Sequence, residues 1–545
     1  MHSCLKYIML LILTIIGFGC QSSSQKNLAH APEQVVRVNI RDEPQTLDPR
    51  KARHLNSQVI VHMLFDGLTR ANKEGKEELA LTDHVDISSD LKTYTFHLKD
   101  AFWTNGDPVT AVDFAYSWKK TLSPDFPSDT AFQLYVIKNA KSVREGKMPV
   151  DQAGIRVVDE KTLIVELENP TPYFLQLVGT AAFFPVNKNV DELNPQWTQD
   201  ASSYVCNGPF KLIEWKHQDQ LVIEKNEQYW DAPNVQLAAV KLHMLNEETE
   251  LKMFEKKELD WAGSPLSILP LDALKDLKKD NQLKTALALG TYFLRTNTQF
   301  RPLSHPLMRK AFALAINRQA IVEHVTQGNQ LPATGLVPLS FGLQNEPYFQ
   351  DGDVATAKQL FEQGLKELHL TKETLPEICY LYRMNERNHL IAQAIQQQWF
   401  EAFGIRVKLE GIEAKVFFSR VSKQDFHFAY GDWSADFADP INFLEVFKYK
   451  KSGTNNTHWE NAQYAKLLER SSQILDQKER FELLAQSERI LIDEMPIIPV
   501  LYSNMLYLSQ PALKGVSLSS MGTIDFKWAR LSEAEDKMIV QGDKR

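Results

Sequence analysis

Cysteine is scarce in this chain: four in 545 residues, with Cys4 and Cys20 inside the first twenty. Cys206 and Cys379 remain, far apart in sequence. An oxidising compartment would permit a disulfide between them, but two free buried thiols are the state we expect, and no zinc spacing occurs. No block of Lys or Arg stands out and the net charge is −8, which argues against nucleic acid or an anionic membrane surface as the main partner. There is no low-complexity tract. Walker A, GxGxxG, HExxH and GxSxG motifs are all missing. The fourteen histidines are scattered, and none pairs with another at metal-ligand spacing on a recognisable helix. Nothing positive points to an enzyme, a metal or a cofactor. The chain's long apolar run, Tyr7 to Phe18, is too short for a bilayer span of about 20 helical residues.

That run, preceded by Lys6, suits the h-region of an export signal. Gly17-Phe18-Gly19-Cys20 resembles a bacterial lipobox in which Cys20 becomes the acylated first residue. It departs from the usual pattern at Gly17 and Phe18, and Gly17 with Gly19 also satisfies the small-x-small rule of ordinary cleavage. Gln21 to Gln25 is a polar stretch suited to a tether. Beyond it the composition is that of a globular protein, 43% apolar and 24% charged, and the length demands two or three domains.

Along the chain, Val35 to Ile40 alternates as a strand before Glu43-Pro44-Gln45-Thr46-Leu47-Asp48-Pro49. A helix-like run, Val59 to Leu64, closes on Phe65-Asp66-Gly67-Leu68. Tyr94 to Leu98 alternates as a half-buried strand. Asn105-Gly106 signals a hairpin turn. Thr110 reads as N-cap of a helix over Ala111 to Lys120, with Asp113 completing a capping box. Strands follow over Ile155 to Val158 and Thr162 to Leu167. Asn207-Gly208-Pro209-Phe210 opens a hairpin of Lys211 to Trp215 and Leu221 to Glu224, ahead of Asn226-x-x-Tyr229-Trp230. Later, Tyr292 to Asn297 reads as a crossover strand, and Met308, Ala311, Phe312 and Ala315 form a helical core stripe. Leu390 to Phe403 is an amphipathic helix stopped by Gly404, with a strand over Ile405 to Leu409 behind it. Met495 to Val500 is a buried strand.

The most informative segment is Gly431 to Leu444, GDWSADFADPINFL. A short apolar run (Phe426, Phe428, Tyr430) ends in a turn supplied by small residues and Asp439-Pro440. It presents carboxylates at a sheet edge, although such a segment in isolation also fits a solvated loop. The pattern W-x-A-D-[YF]-x-[DE]-P resembles the ligand-binding segment of periplasmic oligopeptide-binding proteins, the solute receptors of ABC peptide importers. The other motifs quoted above occur in that family's order, from Leu47 to about Arg530.

The resemblance implies an α/β fold of the class II periplasmic-binding type, with two lobes joined by two crossover strands and an additional α/β domain elaborating the first lobe. It implies this division: 1–20 signal peptide, 21–34 tether, 35–70, 186–288 and 501–545 first lobe, 71–185 additional domain, 289–500 second, ligand-gripping lobe. It further implies that Asp436 grips the α-amino group of a short peptide, and that Arg420, aligned with a one-residue gap, meets its carboxylate. A second family Arg falls opposite Tyr430 here, a departure from the pattern. Trp433, Tyr430 and Asn207 are weaker candidates for lining the cleft. The implied partners are short peptides and ABC permease subunits, with a lipid anchor at Cys20, no nucleic acid, no metal, no cofactor and a monomeric receptor on the periplasmic side of the membrane. Other readings are a receptor for another amine-bearing solute, such as glutathione or a cell-wall peptide, and a surface adhesin or chaperone.

Overall fold

Two strands of 13 residues each, Lys284–Thr296 and Ile497–Ser509, run antiparallel to one another and tie the chain together. The computed structural model describes residues 34–532 except 345, 451, 452 and 475. The segment expected to direct export, Cys20 and the expected tether up to residue 33 lie outside them. The register of the two strands shifts between Leu287 and Thr291 and again between Tyr292 and Phe293, as strands do where they bend. At one end Leu289, Phe293, Leu294, Ile497, Ile498, Val500 and Leu501 belong to one apolar core. At the other, Trp261 pairs with Ser509 and stacks on Tyr507 at the margin of a second core. These are the crossover strands of a two-lobed α/β protein.

The first lobe is built on a sheet ordered Val35–Asn39, Ala239–His243, Gln220–Lys225, Phe210–Lys216. A second four-stranded sheet, ordered Thr82–Ile87, Thr93–Leu98, Thr162–Glu166, Ile155–Asp159, packs under the helix Ala111–Leu122. Apolar residues of both sheets share one continuous core, so the additional domain elaborates the first lobe rather than standing alone. The capping box is formed: Asp113 Oδ2 accepts from the Thr110 amide at 2.9 Å. Trp103, Phe114 and Trp118 are wholly buried, so this motif-rich stretch is core packing.

In the second lobe, Cys379–Arg383 lies between Lys408–Ile412 and Phe428–Ser434, parallel to both. The helices Glu386–Phe403 and Ala414–Ser422 supply the crossovers that parallel strands require. Gly404, at φ 71°, ends the first of them.

Two expectations are corrected. The strand after Gly404 covers Lys408–Ile412, not Ile405 to Leu409, because residues 405–407 are spent leaving the helix; there Gln396 Nε2 donates to the Val407 carbonyl at 2.6 Å. Asn105-Gly106 makes a turn without a hairpin, leaving a single bridge between Phe102 and Pro108. Pro108 has no N–H to extend a ladder, and the Thr104 amide donates instead to the Cys206 carbonyl. Cys206 and Cys379 are free and buried. Among the described residues no helix is long and apolar enough to cross a membrane.

Candidate functional site

The three parallel strands of the second lobe all end on one side of their sheet, the side where open α/β sheets take ligands. Phe428–Ser434 delivers the segment 435–440 there. Its position depends on Gly431, which sits opposite Phe293; a β-carbon at 431 would come within 2.5 Å of the Phe293 ring and 2.7 Å of Arg295 Nη1. Side chains with opposite tasks hold the turn. Asp439 is buried and forms a bidentate pair with Arg480, both contacts 2.7 Å. Asn442 Oδ1 accepts from Trp433 Nε1 at 2.8 Å and from the Asp436 amide at 3.2 Å.

With Asp439 and Asn442 fixing the loop, the Asp436 side chain stands at the wall between two cavities. One, of about 410 Å3, is bordered by Tyr173, Trp433, Asn442, Glu445 and Arg480. The other, of about 550 Å3, is bordered by His62, Arg70, Gln176, Ala435 and Met521. Both include Asp436 and Phe437, and both combine residues of the two lobes. Burial raises the Asp436 carboxyl above the usual Asp range; the charge of Arg53 and a hydrogen bond from Asn442 oppose that rise. A partly desolvated carboxylate helped only by the charge of Arg53 can pair with a further cation. It forms no ion pair among the described residues.

Further along the same strand Tyr430 is buried. Its hydroxyl accepts from Arg383 Nη2 at 2.9 Å, and its carbonyl accepts from Arg295 Nη1 at 2.7 Å. The Arg383 guanidinium also lies 4.8 Å from the Tyr430 ring centroid. Tyr292 meets that ring edge-on at 5.0 Å. Arg383 closes its strand on the ligand side of the sheet and, among the described residues, has no ion-pair partner. Sequence reasoning passed over it. The available signal was a lone Arg directly after the apolar run Cys379-Tyr380-Leu381-Tyr382.

Three anticipated residues border neither cavity: Tyr430, Arg420 and Asn207. Arg420, on the helix Ala414–Ser422, spends its guanidinium on Glu410 and Asp425, each at 2.8 Å; like Arg383 it borders neither cavity. Arg420 and Lys408, by hydrogen bonds and charge, hold the Glu410 carboxyl down to about 2. Asn207 is buried and clamps the backbone of Asp66, accepting from its amide at 3.0 Å and donating to its carbonyl at 3.2 Å. Tyr229 and Trp230 donate to the Asp66 carboxylate at 2.6 and 2.8 Å, so three separated motifs converge on one buried acid. Gly208, beside Asn207, leaves room for the chain at Leu64 and Phe65, which a β-carbon would meet at 2.5 Å.

The model of the bacterial extracellular solute-binding proteins, family 5, middle region, matches residues 76–455. The chain belongs to this family. It is 41% identical over 531 residues to the oligopeptide-binding protein OppA of Bacillus subtilis (strain 168), covering 96% of this chain and 97% of that protein. The dipeptide-binding protein DppE of the same strain is 38% identical over 533 residues, 95% and 97% of the two chains. Among solved structures, Haemophilus influenzae OppA in complex with RPPGFSPFR matches with a TM-score of 0.78 at 26% identity, covering 92% of this chain and 99% of that one. The cleft described above is therefore the inter-lobe cleft of a family 5 solute-binding protein.

Proposed function

We propose that this family 5 protein is an extracytoplasmic receptor that holds short peptides in extended form between its lobes and delivers them to an ABC permease. The observation that carries the reading is Asp436, an unpaired, partly buried carboxylate shared by two inter-lobe cavities. A peptide's ammonium entering the cleft loses hydration, and a fixed negative partner replaces it. Main-chain pairing with strand edges would add affinity independent of side chains. Trp433, held by Asn442, forms a wall of the smaller cavity. For the peptide carboxylate we assign Arg383 in place of Arg420, whose charge is already paired; Tyr430 orients Arg383, and Asn207 belongs to the frame.

The relatives support the ligand class, since two of them carry oligopeptide- and dipeptide-binding in their names and a structural neighbour was solved with a peptide. The two large cores support separating a second lobe of 289–500 from the rest, which we divide into a first lobe of 35–70, 186–288 and 501–545 and an additional domain of 71–185; residues 533–545 of that division lie outside the described residues. Acylation of Cys20 would tether the monomeric receptor to the outer face of the cell membrane. Mass spectrometry of the denatured, freshly purified protein tests the reading. A ladder of mixed short peptides supports it. One discrete compound, such as a cell-wall peptide or glutathione, would replace it with a narrower amine receptor, and an empty cleft that peptides never fill would point to an adhesin or chaperone.

A further inference from the structure

The hairpin of Thr82–Ile87 and Thr93–Leu98 sets two histidines side by side that the sequence keeps apart. His84 lies directly opposite His97, and Asp86, two residues along the edge strand, lies opposite Thr95. Residues two apart share a face. Tyr94, Phe96 and Leu98 point into the core, so His97 is turned outward. The two imidazoles stack with centroids 4.0 Å apart and planes 8° apart. His97 Nε2 is 3.0 Å from Asp86 Oδ2, and His84 Nδ1 is 3.5 Å from Asp83 Oδ2. One donor atom each from His84, Asp86 and His97 falls within 4.8 Å of the others.

We propose that His84, Asp86 and His97 form a binding site for a first-row transition-metal ion such as Zn2+, on the outer face of the additional domain. Two imidazoles and one carboxylate are the donor set that Zn2+, Cu2+ and Ni2+ prefer over Mg2+ or Ca2+. A tetrahedral ion bonded at about 2.0 to 2.2 Å needs ligand atoms roughly 3.4 Å apart. The side chains reach that spacing by rotation, because 58% of His84 and 71% of Asp86 is exposed, while paired backbones hold their origins in register. The remaining position opens to water. Thr82–Ile87 is the edge strand of its sheet, so the ion would pin an otherwise one-sided strand to its neighbour. None of the three residues borders the cavities at Asp436, and the site is independent of the peptide reading.

Calorimetric titration of ZnCl2 into the chelator-treated full chain tests this. The wild type is expected to take up one ion that His84→Ala, His97→Ala and the gentler Asp86→Asn each weaken by at least about tenfold. The thermal midpoint should rise with free Zn2+ in the wild type and not in His97→Ala, with peptide binding unchanged throughout. Equal Zn2+ uptake by the wild type and the His84→Ala/His97→Ala double variant would overturn the site. Displacement of Zn2+ by equimolar Mg2+ or Ca2+ would overturn its assignment to transition metals.

Discussion

The Tyr173 ring lies flat on the Phe437 ring, centroids 4.4 Å apart and planes 7° apart. Each residue packs against both large apolar cores. Tyr173 follows the sheet of the additional domain and Phe437 follows Asp436, so this stack is a direct contact between the lobes beside the candidate amine site. Arg480, paired with Asp439, approaches the same Tyr173 ring at 5.9 Å.

Phe437→Ala should therefore loosen closure. Aromatic pairs add about 0.5 to 1.5 kcal/mol beyond the area they bury, so peptide affinity should fall roughly two- to twelvefold. Solution scattering with saturating peptide should show a larger radius of gyration than the wild type gives. Unchanged affinity and an unchanged profile would mean the stack is incidental to closure.

Asp436→Asn keeps shape and removes charge. Losing one partner of a desolvated pair costs about 2 to 5 kcal/mol. Acetylating the peptide's N-terminus should cost a similar amount in the wild type and much less in the variant, since both changes remove one interaction. Because burial raises the Asp436 carboxyl, affinity should hold above that raised value and decline below it, at a higher pH than an exposed Asp would show. The variant should lack this decline. Additive losses in the cycle would assign Asp436 to holding the turn.

For the carboxylate end, Arg383→Gln should weaken free-acid peptides and leave C-terminally amidated ones nearly unaffected, by about 1.5 to 3 kcal/mol for a charged hydrogen bond. Arg420→Gln should shift thermal stability slightly through Glu410 and Asp425 and leave that discrimination intact. Binding isotherms for matched acid and amide peptides decide it: if Arg420→Gln alone erases the preference, the assignment to Arg383 fails.

Glu488 gives a pH prediction separate from ligand. It is buried, accepts from the Leu336 and Val337 amides at 2.8 Å each and from the Tyr348 hydroxyl at 2.9 Å, and burial pushes its carboxyl up to about 7. The folded protein then holds a proton that the unfolded chain releases near 4.5, so this contribution is full below about 4.5 and is lost as pH rises to about 7. The loss is on the order of 3 kcal/mol. Half-buried His62 and His243, held low by desolvation, slope the other way, so the comparison is wild type against Glu488→Gln. Denaturant midpoints across that window should diverge between the two proteins; parallel curves would show that Glu488 is charged in the native state.

Much of this protein was legible as local pattern. Alternation marked the strands at Thr93–Leu98 and Thr162–Glu166, helical spacing marked the stripe through Met308 and Phe312, and Thr110 with Asp113 marked a helix start, because these features depend on neighbours within a turn or a pleat. The turn that carries Asp436 was legible for the same reason, and the joint order of motifs marked the family. Tertiary structure alone decided which charges are free. Arg420 read as a cleft residue until Glu410 and Asp425 are seen to neutralise it, and Asp439 as a carboxylate presented at a sheet edge until Arg480 is seen to pair with it. Asn207 read as a cleft residue until Asp66 claimed it. Conversely Arg383 carried only a faint signal, a lone Arg after an apolar run, and Tyr173 and the His84–His97 pair are distinguished by partners that only the fold brings to them. A side chain's period is set by the backbone beside it, whereas its availability to a ligand is set by whatever the fold packs against it.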